Sequence, residues 1–109
     1  MPHCIIELSE SLEARSDSIV RCVHDAADAS GLFNSRDIKT RSRIYQHYIL
    51  GDESEHFIIV TIRLLSGRTK EQKQQLVQGT LDQLKSLEIK GAALFVELCD
   101  IDRDAYGKT

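Results

Sequence analysis

His56-Phe57-Ile58-Ile59-Val60-Thr61-Ile62-Arg63-Leu64-Leu65-Ser66-Gly67-Arg68-Thr69-Lys70-Glu71-Gln72 contains a strand, a turn and the start of a helix in one continuous stretch. Residues 56–65 are nearly all apolar or β-branched, as expected of a strand central in a sheet or covered on both faces. Gly67 interrupts the run. Thr69 and Gln72 then form a capping box, in which the threonine hydroxyl accepts from the third helical amide and the glutamine side chain reaches back. Behind it Leu76, Val77, Thr80, Leu81, Leu84 and Leu87 mark one helical face, which ends at Gly91. Residues 92–101 read as a strand, so the second half of the chain is βαβ.

The first half has the same order. Residues 3–8 are apolar and β-branched enough for a buried strand. Leu12, Ile19, Val23, Ala26 and Ala27 then follow helical spacing between Ser11 and Ser30, with Gly31 as the stop. Residues 37–50 lack that spacing and are rich in Ile, Tyr and Thr, which predicts a strand closed by the turn Gly51-Asp52-Glu53-Ser54. Residues 102–109 form a polar tail with no claim on the core. His3-Cys4-Ile5-Ile6 and His56-Phe57-Ile58-Ile59 open the two halves alike.

Linear order admits two α/β (α+β) architectures. In one, each βαβ half contributes parallel strands to a four-stranded mixed sheet with two helices on one face, and a pseudo-two-fold axis relates the halves. The other is the ferredoxin-like βαββαβ sandwich. Both leave one sheet face for solvent or another subunit. The 109 residues make one domain spanning 1–109, with a core thin enough that oligomerisation is a natural supplement.

The net charge of −3 lacks the basic field that a phosphate backbone demands, so nucleic acid is not an expected partner. Cys4, Cys22 and Cys99 are odd in number and widely spaced, which predicts reduced, buried thiols rather than a disulfide framework or a zinc site. No run approaches the ~20 apolar residues of a membrane span. The first residues enter a strand directly, so the expectation is a soluble, cytoplasmic protein with no membrane partner.

Three features point to a small anionic ligand, each with a plainer alternative. Strand alternation places Lys39, Arg41, Arg43, Tyr45 and His47 on one face, where two arginines either bind an anion or line a solvated edge. Arg68 and Lys70 lie at a helix start, where the dipole disfavours cations; either an anion binds there or Glu71 offsets the charge. Pro2 is either incidental or, once Met1 is removed, a secondary amine. Nearby cations and an apolar pocket would lower the pKa of such an amine toward neutrality, as a general base requires. The four histidines show no paired ligand spacing, so no metal site is expected, and His3 alone is placed to line a pocket beside Pro2.

Pro2-His3 leading into an apolar strand, Arg41-Ser42-Arg43 in the second strand and Gly67-Arg68-Thr69 opening the second helix resemble the 5-carboxymethyl-2-hydroxymuconate delta-isomerases of the tautomerase superfamily. The resemblance covers residues 2–9 and about 41–85. It implies a βαβ-βαβ subunit in a homotrimer, without metal or organic cofactor, acting on a small anionic substrate of aromatic-compound degradation. It also implies that Pro2 shuttles a proton within an unsaturated 2-hydroxy or 2-oxo carboxylate, while Arg41 and Arg68 hold carboxylates and stabilise the dienolate. Arg43 is a further substrate-binding candidate. The alternatives are a phenylpyruvate-type or 4-oxalocrotonate-type tautomerase, and a non-catalytic domain that binds an anionic small molecule or a protein partner.

Overall fold

The computed structural model describes residues 1–109. Strand β1 (His3–Ser9) runs through a 3-10 turn at Glu10–Arg15 into helix α1 (Ser16–Ala29), and β2 (Lys39–Tyr45) follows. The second half is β3 (His56–Leu65), α2 (Lys70–Lys85) and β4 (Ala92–Ile101), with a last 3-10 turn at Arg103–Ala105. The strand order is β2-β1-β3-β4. β1 pairs in parallel with β2 and β3 with β4, while β1 and β3 meet antiparallel in the middle.

That register decides between the two architectures. A split βαβ unit, the ferredoxin-like arrangement, has a foreign strand between the two that its helix connects. Here the connected strands are neighbours in both halves, and the antiparallel β1/β3 seam relates one half to the other.

Alternation along the central strands sets the two faces of the sheet. Cys4, Ile6 and Leu8 of β1 and Ile58, Val60, Ile62 and Leu64 of β3 are fully buried against Ile19, Val23 and Ala27 of α1 and Leu76 and Leu84 of α2. Each large aliphatic side chain in that layer contributes about 1.5–3 kcal/mol through removal from water. Thr80, the one polar residue on the buried stripe of α2, donates its hydroxyl to the Leu76 carbonyl at 2.8 Å, which removes the cost of burying it. The capping box forms as the sequence predicts: Gln72 N donates to Thr69 Oγ1 at 3.1 Å and Thr69 N to Gln72 Oε1 at 2.9 Å.

Several expectations shift. β2 stops at Tyr45 because its partner β1 stops at Ser9, with which Tyr45 is in register; residues 46–50 have no strand to pair with, and His47 leaves the sheet. α1 begins at Ser16, the preceding turn being 3-10, and α2 ends at Lys85, well before Gly91. Glu88 takes a positive φ of 52° in the connection, and Leu87 still packs on the core. Of the three thiols only Cys4 is fully buried; Cys22 is half-buried and Cys99 exposed. Burial pushes the Cys4 thiol up to about 11, so it behaves as a small hydrophobe.

The second sheet face carries Ile5, Arg41, Arg43, Ile59, Thr61, Arg63, Glu97 and Cys99, and Phe95 on it is 51% exposed. β3 is therefore covered on one face only within a single chain. No helix is long and apolar enough to cross a membrane.

Candidate active site

The start of β1 is tied to β2 by a hydrogen bond from Lys39 N to the Pro2 carbonyl at 3.0 Å, and the Pro2 ring is fully buried. Its nitrogen is in an amide bond to Met1, whose own amine donates to the Asp37 carbonyl at 3.1 Å. Around this terminus lies a cleft of about 470 Å³ lined by Met1, Asp37, Leu65, Arg68, Arg103, Tyr106 and Lys108. Three cations thus share a cleft with one carboxylate residue.

Arg68 enters the cleft from the residue before the α2 N-cap. It donates to the Leu32 carbonyl at 3.0 Å and the Leu65 carbonyl at 3.5 Å, and its guanidinium lies 5.2 Å from the centroid of the Phe33 ring. Stacking and two carbonyls hold this cation in one place while the remaining N–H groups stay available. The helix terminus itself offers less than its sequence predicts, because the capping box already bonds the amides of Thr69 and Gln72. Lys70 does not line the cleft; it lies along a separate groove with Lys73 and Asp100. Gly67 permits the turn with a φ of 125°, which side-chain-bearing residues rarely adopt. Over it lies Arg103, whose Nε donates to the Ser66 carbonyl at 2.6 Å.

Arg41 reaches the cleft indirectly. Its guanidinium contacts His3 Nδ1 at 3.3 Å, His3 Nε2 contacts the Tyr106 hydroxyl at 3.1 Å, and that hydroxyl donates to Met1 Sδ at 2.7 Å. The His3 and Tyr106 rings meet edge to face, with centroids 6.2 Å apart. Arg43 is not brought to this cleft; it sits in a depression on the open sheet face with Ile5, Glu7, Arg41, Ser42 and Tyr45. There the Tyr45 hydroxyl donates to Glu7, which raises the Tyr45 pKa. A larger groove of about 680 Å³ between α1 and β2 includes Arg41 but neither Met1 nor Arg68.

The electrostatics of the cleft oppose positive charge on its small bases. The Met1 amine is held below its ordinary value, first by desolvation and further by Lys39, Lys108 and Arg68, against an opposing pull from Asp37. His3 is lowered as well, by desolvation first, then by Arg41, the terminal amine, Arg63 and Lys39. Below the ordinary imidazole value the folded protein therefore holds His3 less protonated than the unfolded chain does. It loses stability as pH falls from about 6.5.

Sequence reasoning missed Tyr106, Arg103, Lys108 and Asp37. The tail it set aside folds back over the terminus, and Tyr106, the one aromatic residue among otherwise polar neighbours, was the available signal. No group of three or more His, Cys, Asp or Glu side chains gathers as a metal site would.

Compared with known families, residues 2–103 match the profile of 5-carboxymethyl-2-hydroxymuconate isomerase. The chain belongs to that family. It is an isomerase of the tautomerase superfamily rather than a non-catalytic domain. A sequence search of curated proteins finds no match to this isomerase. Its fold is shared with a 5-carboxymethyl-2-hydroxymuconate isomerase from Deinococcus radiodurans R1, at TM-score 0.83 and 20% identity over 99% of this chain and 88% of that one. A 5-carboxymethyl-2-hydroxymuconate delta-isomerase aligns at TM-score 0.79 and 16% identity, over 100% of this chain and 87% of the other. A wild-type fused 4-OT described as a symmetric trimer aligns at 0.79 and 20%, over 97% and 90%.

Proposed function

We propose that this isomerase moves a proton within an unsaturated 2-hydroxy or 2-oxo carboxylate of the 5-carboxymethyl-2-hydroxymuconate type, with Pro2 as the general base once Met1 has been removed. The observation that carries this reading is the cleft at the terminus, where Met1 is flanked by Arg68, Arg103 and Lys108. With Met1 attached, the Pro2 nitrogen is an amide without a basic lone pair. With Met1 gone it is a secondary amine in surroundings that already depress the Met1 amine. Desolvation, the largest influence on the Met1 amine, acts in the same direction on a secondary amine at that terminus. A neutral amine at pH 7 takes a proton from the substrate, the electron pair of the broken bond spreads into a dienolate, and the same amine returns the proton at another carbon.

The arginines serve binding and charge. Arg68 meets a substrate carboxylate with a planar fork, and Arg103 and Lys108 meet a second one. Arg41 lends its charge to the developing dienolate. The family's chemistry calls for no cofactor. Homotrimerisation covers the open sheet face, where Phe95, Ile5 and Ile59 would otherwise meet water, and a fused 4-OT with the same fold is a symmetric trimer. Arg43 lies on that face and contacts substrate only across such an interface. The three free thiols accord with a reducing, cytoplasmic setting.

The test is a substrate series on protein whose intact mass shows Met1 absent. Enol acids with one, two and three carboxylates are compared: phenylenolpyruvate, 2-hydroxymuconate and 5-carboxymethyl-2-hydroxymuconate. The expected result is a kcat/KM that rises with carboxylate count, about tenfold or more for each additional charge-assisted hydrogen bond. A preference for phenylenolpyruvate would reassign the enzyme to the phenylpyruvate type, and a preference for 2-hydroxymuconate to the 4-oxalocrotonate type.

A further inference from the structure

The hydrogen bonds joining Arg41 to the cleft have a direction. A guanidinium only donates, so His3 Nδ1, 3.3 Å from the Arg41 Nη1 atom, is the acceptor. A neutral imidazole that accepts at Nδ1 carries its proton on Nε2, and it therefore donates to the Tyr106 oxygen 3.1 Å away. Burial, Arg41, the terminal amine, Arg63 and Lys39 all lower the His3 pKa, in agreement with the neutral form that acceptance at Nδ1 requires. With its oxygen accepting from His3, the Tyr106 hydroxyl has its own proton free to point onward, and it points at Met1 Sδ, 2.7 Å away. Met1 is the residue bonded to the Pro2 nitrogen. Once it leaves, Tyr106 aims a donor into the space that the Met1 side chain occupied, and Arg68 borders the same cleft.

We propose that Tyr106 is a catalytic hydrogen-bond donor, its hydroxyl oriented by Arg41 through His3 and directed at the substrate oxygen on which negative charge gathers as the proton leaves. The inference rests on the reading of Pro2 as the base. No proton leaves the tyrosine: the pair from the broken bond delocalises to the dienolate oxygen, and Tyr106 stabilises that oxygen while the proton rides on Pro2. Arg41 polarises the line of bonds from its far end, so its positive charge is felt in the cleft although the side chain sits on the open sheet face. His3 is a positioning residue, since it fixes the direction of the phenol without meeting the substrate. The arrangement also gives the tail beyond β4 a function that its composition does not announce.

Removing a preorganised donor of this kind slows turnover by roughly 10²-fold or more when it is an enzyme's main oxyanion contact, and less when cations share the task. With Arg68 nearby, Tyr106→Phe is expected to lower kcat on 2-hydroxymuconate by about 10–100-fold while KM moves less than about twofold. The phenylalanine keeps the ring against His3, so a loss confined to kcat reports the hydroxyl. Arg41→Met is expected to lower kcat in the parent protein but to add little in Tyr106→Phe, because both act through one line of bonds. Nitrogen-15 NMR of the histidine rings supplies a readout that does not depend on turnover, with His3 expected to be protonated at Nε2 and unprotonated at Nδ1. An unchanged kcat in Tyr106→Phe, independent multiplicative losses from Tyr106 and Arg41, or the opposite His3 tautomer would each overturn the proposal. Pro2→Ala assayed in parallel separates the two claims: full activity there refutes Pro2 as base, whereas a dead Pro2→Ala beside a fully active Tyr106→Phe refutes only the donor.

Discussion

Pro2→Ala is expected to lower kcat by about 10²–10⁴-fold, the usual worth of a positioned general base. Alanine is small enough for Met1 still to be removed, so the variant keeps a free terminal amine and loses only the ring. That ring is fully buried at the start of β1, and the Pro2 carbonyl is held by Lys39 N at 3.0 Å. Together they fix the direction of the nitrogen lone pair, which a freely rotating primary amine does not reproduce. Because alanine also supplies a carbonyl for Lys39, the sheet is retained and circular dichroism of the variant should match the parent. A kcat equal to the parent's would remove Pro2 from the mechanism.

Arg68→Ala is the second large effect, and it should appear in two measurements. Loss of a charge-assisted hydrogen bond to a carboxylate costs about 1.5–3 kcal/mol, which raises KM for dicarboxylates roughly 10–150-fold. The same substitution removes the cation from the Phe33 ring and the donor from the Leu32 carbonyl. Denaturant unfolding should therefore show a loss of about 1–2 kcal/mol. Arg68→Lys separates the two roles, since a lysine keeps the charge but cannot present the planar guanidinium fork. If KM for 2-hydroxymuconate does not move in Arg68→Ala, the cleft at the terminus is not the carboxylate site.

The parts of this fold legible in advance are those whose signals are local. The capping box at Thr69 and Gln72, the glycine stop at Gly31 and the apolar run of β3 each depend on a few adjacent residues, and each stands where the sequence puts it. What local signals do not carry is pairing. Nothing within residues 37–50 says that the strand must end at Tyr45; that limit belongs to β1, a segment far away in the chain that runs out of partners at Ser9. The same holds for the choice of architecture, which depends on which strands become neighbours.

The site divides along the same line. Arg68 and Pro2 were visible because each sits at a marked position, a helix start and a chain terminus. Arg41 was visible as part of Arg-x-Arg, although the sequence does not say that it acts at a distance through His3. Tyr106, Arg103 and Lys108 were hidden because they are brought to the terminus by a tail without periodicity, and only tertiary contact reveals them. Arg43 shares the sequence signal of Arg41 but lies two residues farther along β2, beyond the reach of His3 and Tyr106.

The most direct measurement is to separate the protein that retains Met1 from the protein that has lost it, assign both by intact mass, and compare their turnover of 2-hydroxymuconate at equal concentration. An acylated nitrogen has no lone pair to offer, so activity is expected in the lighter form alone, exceeding that of the heavier form by at least about 10²-fold. Equal turnover by the two forms would contradict the account.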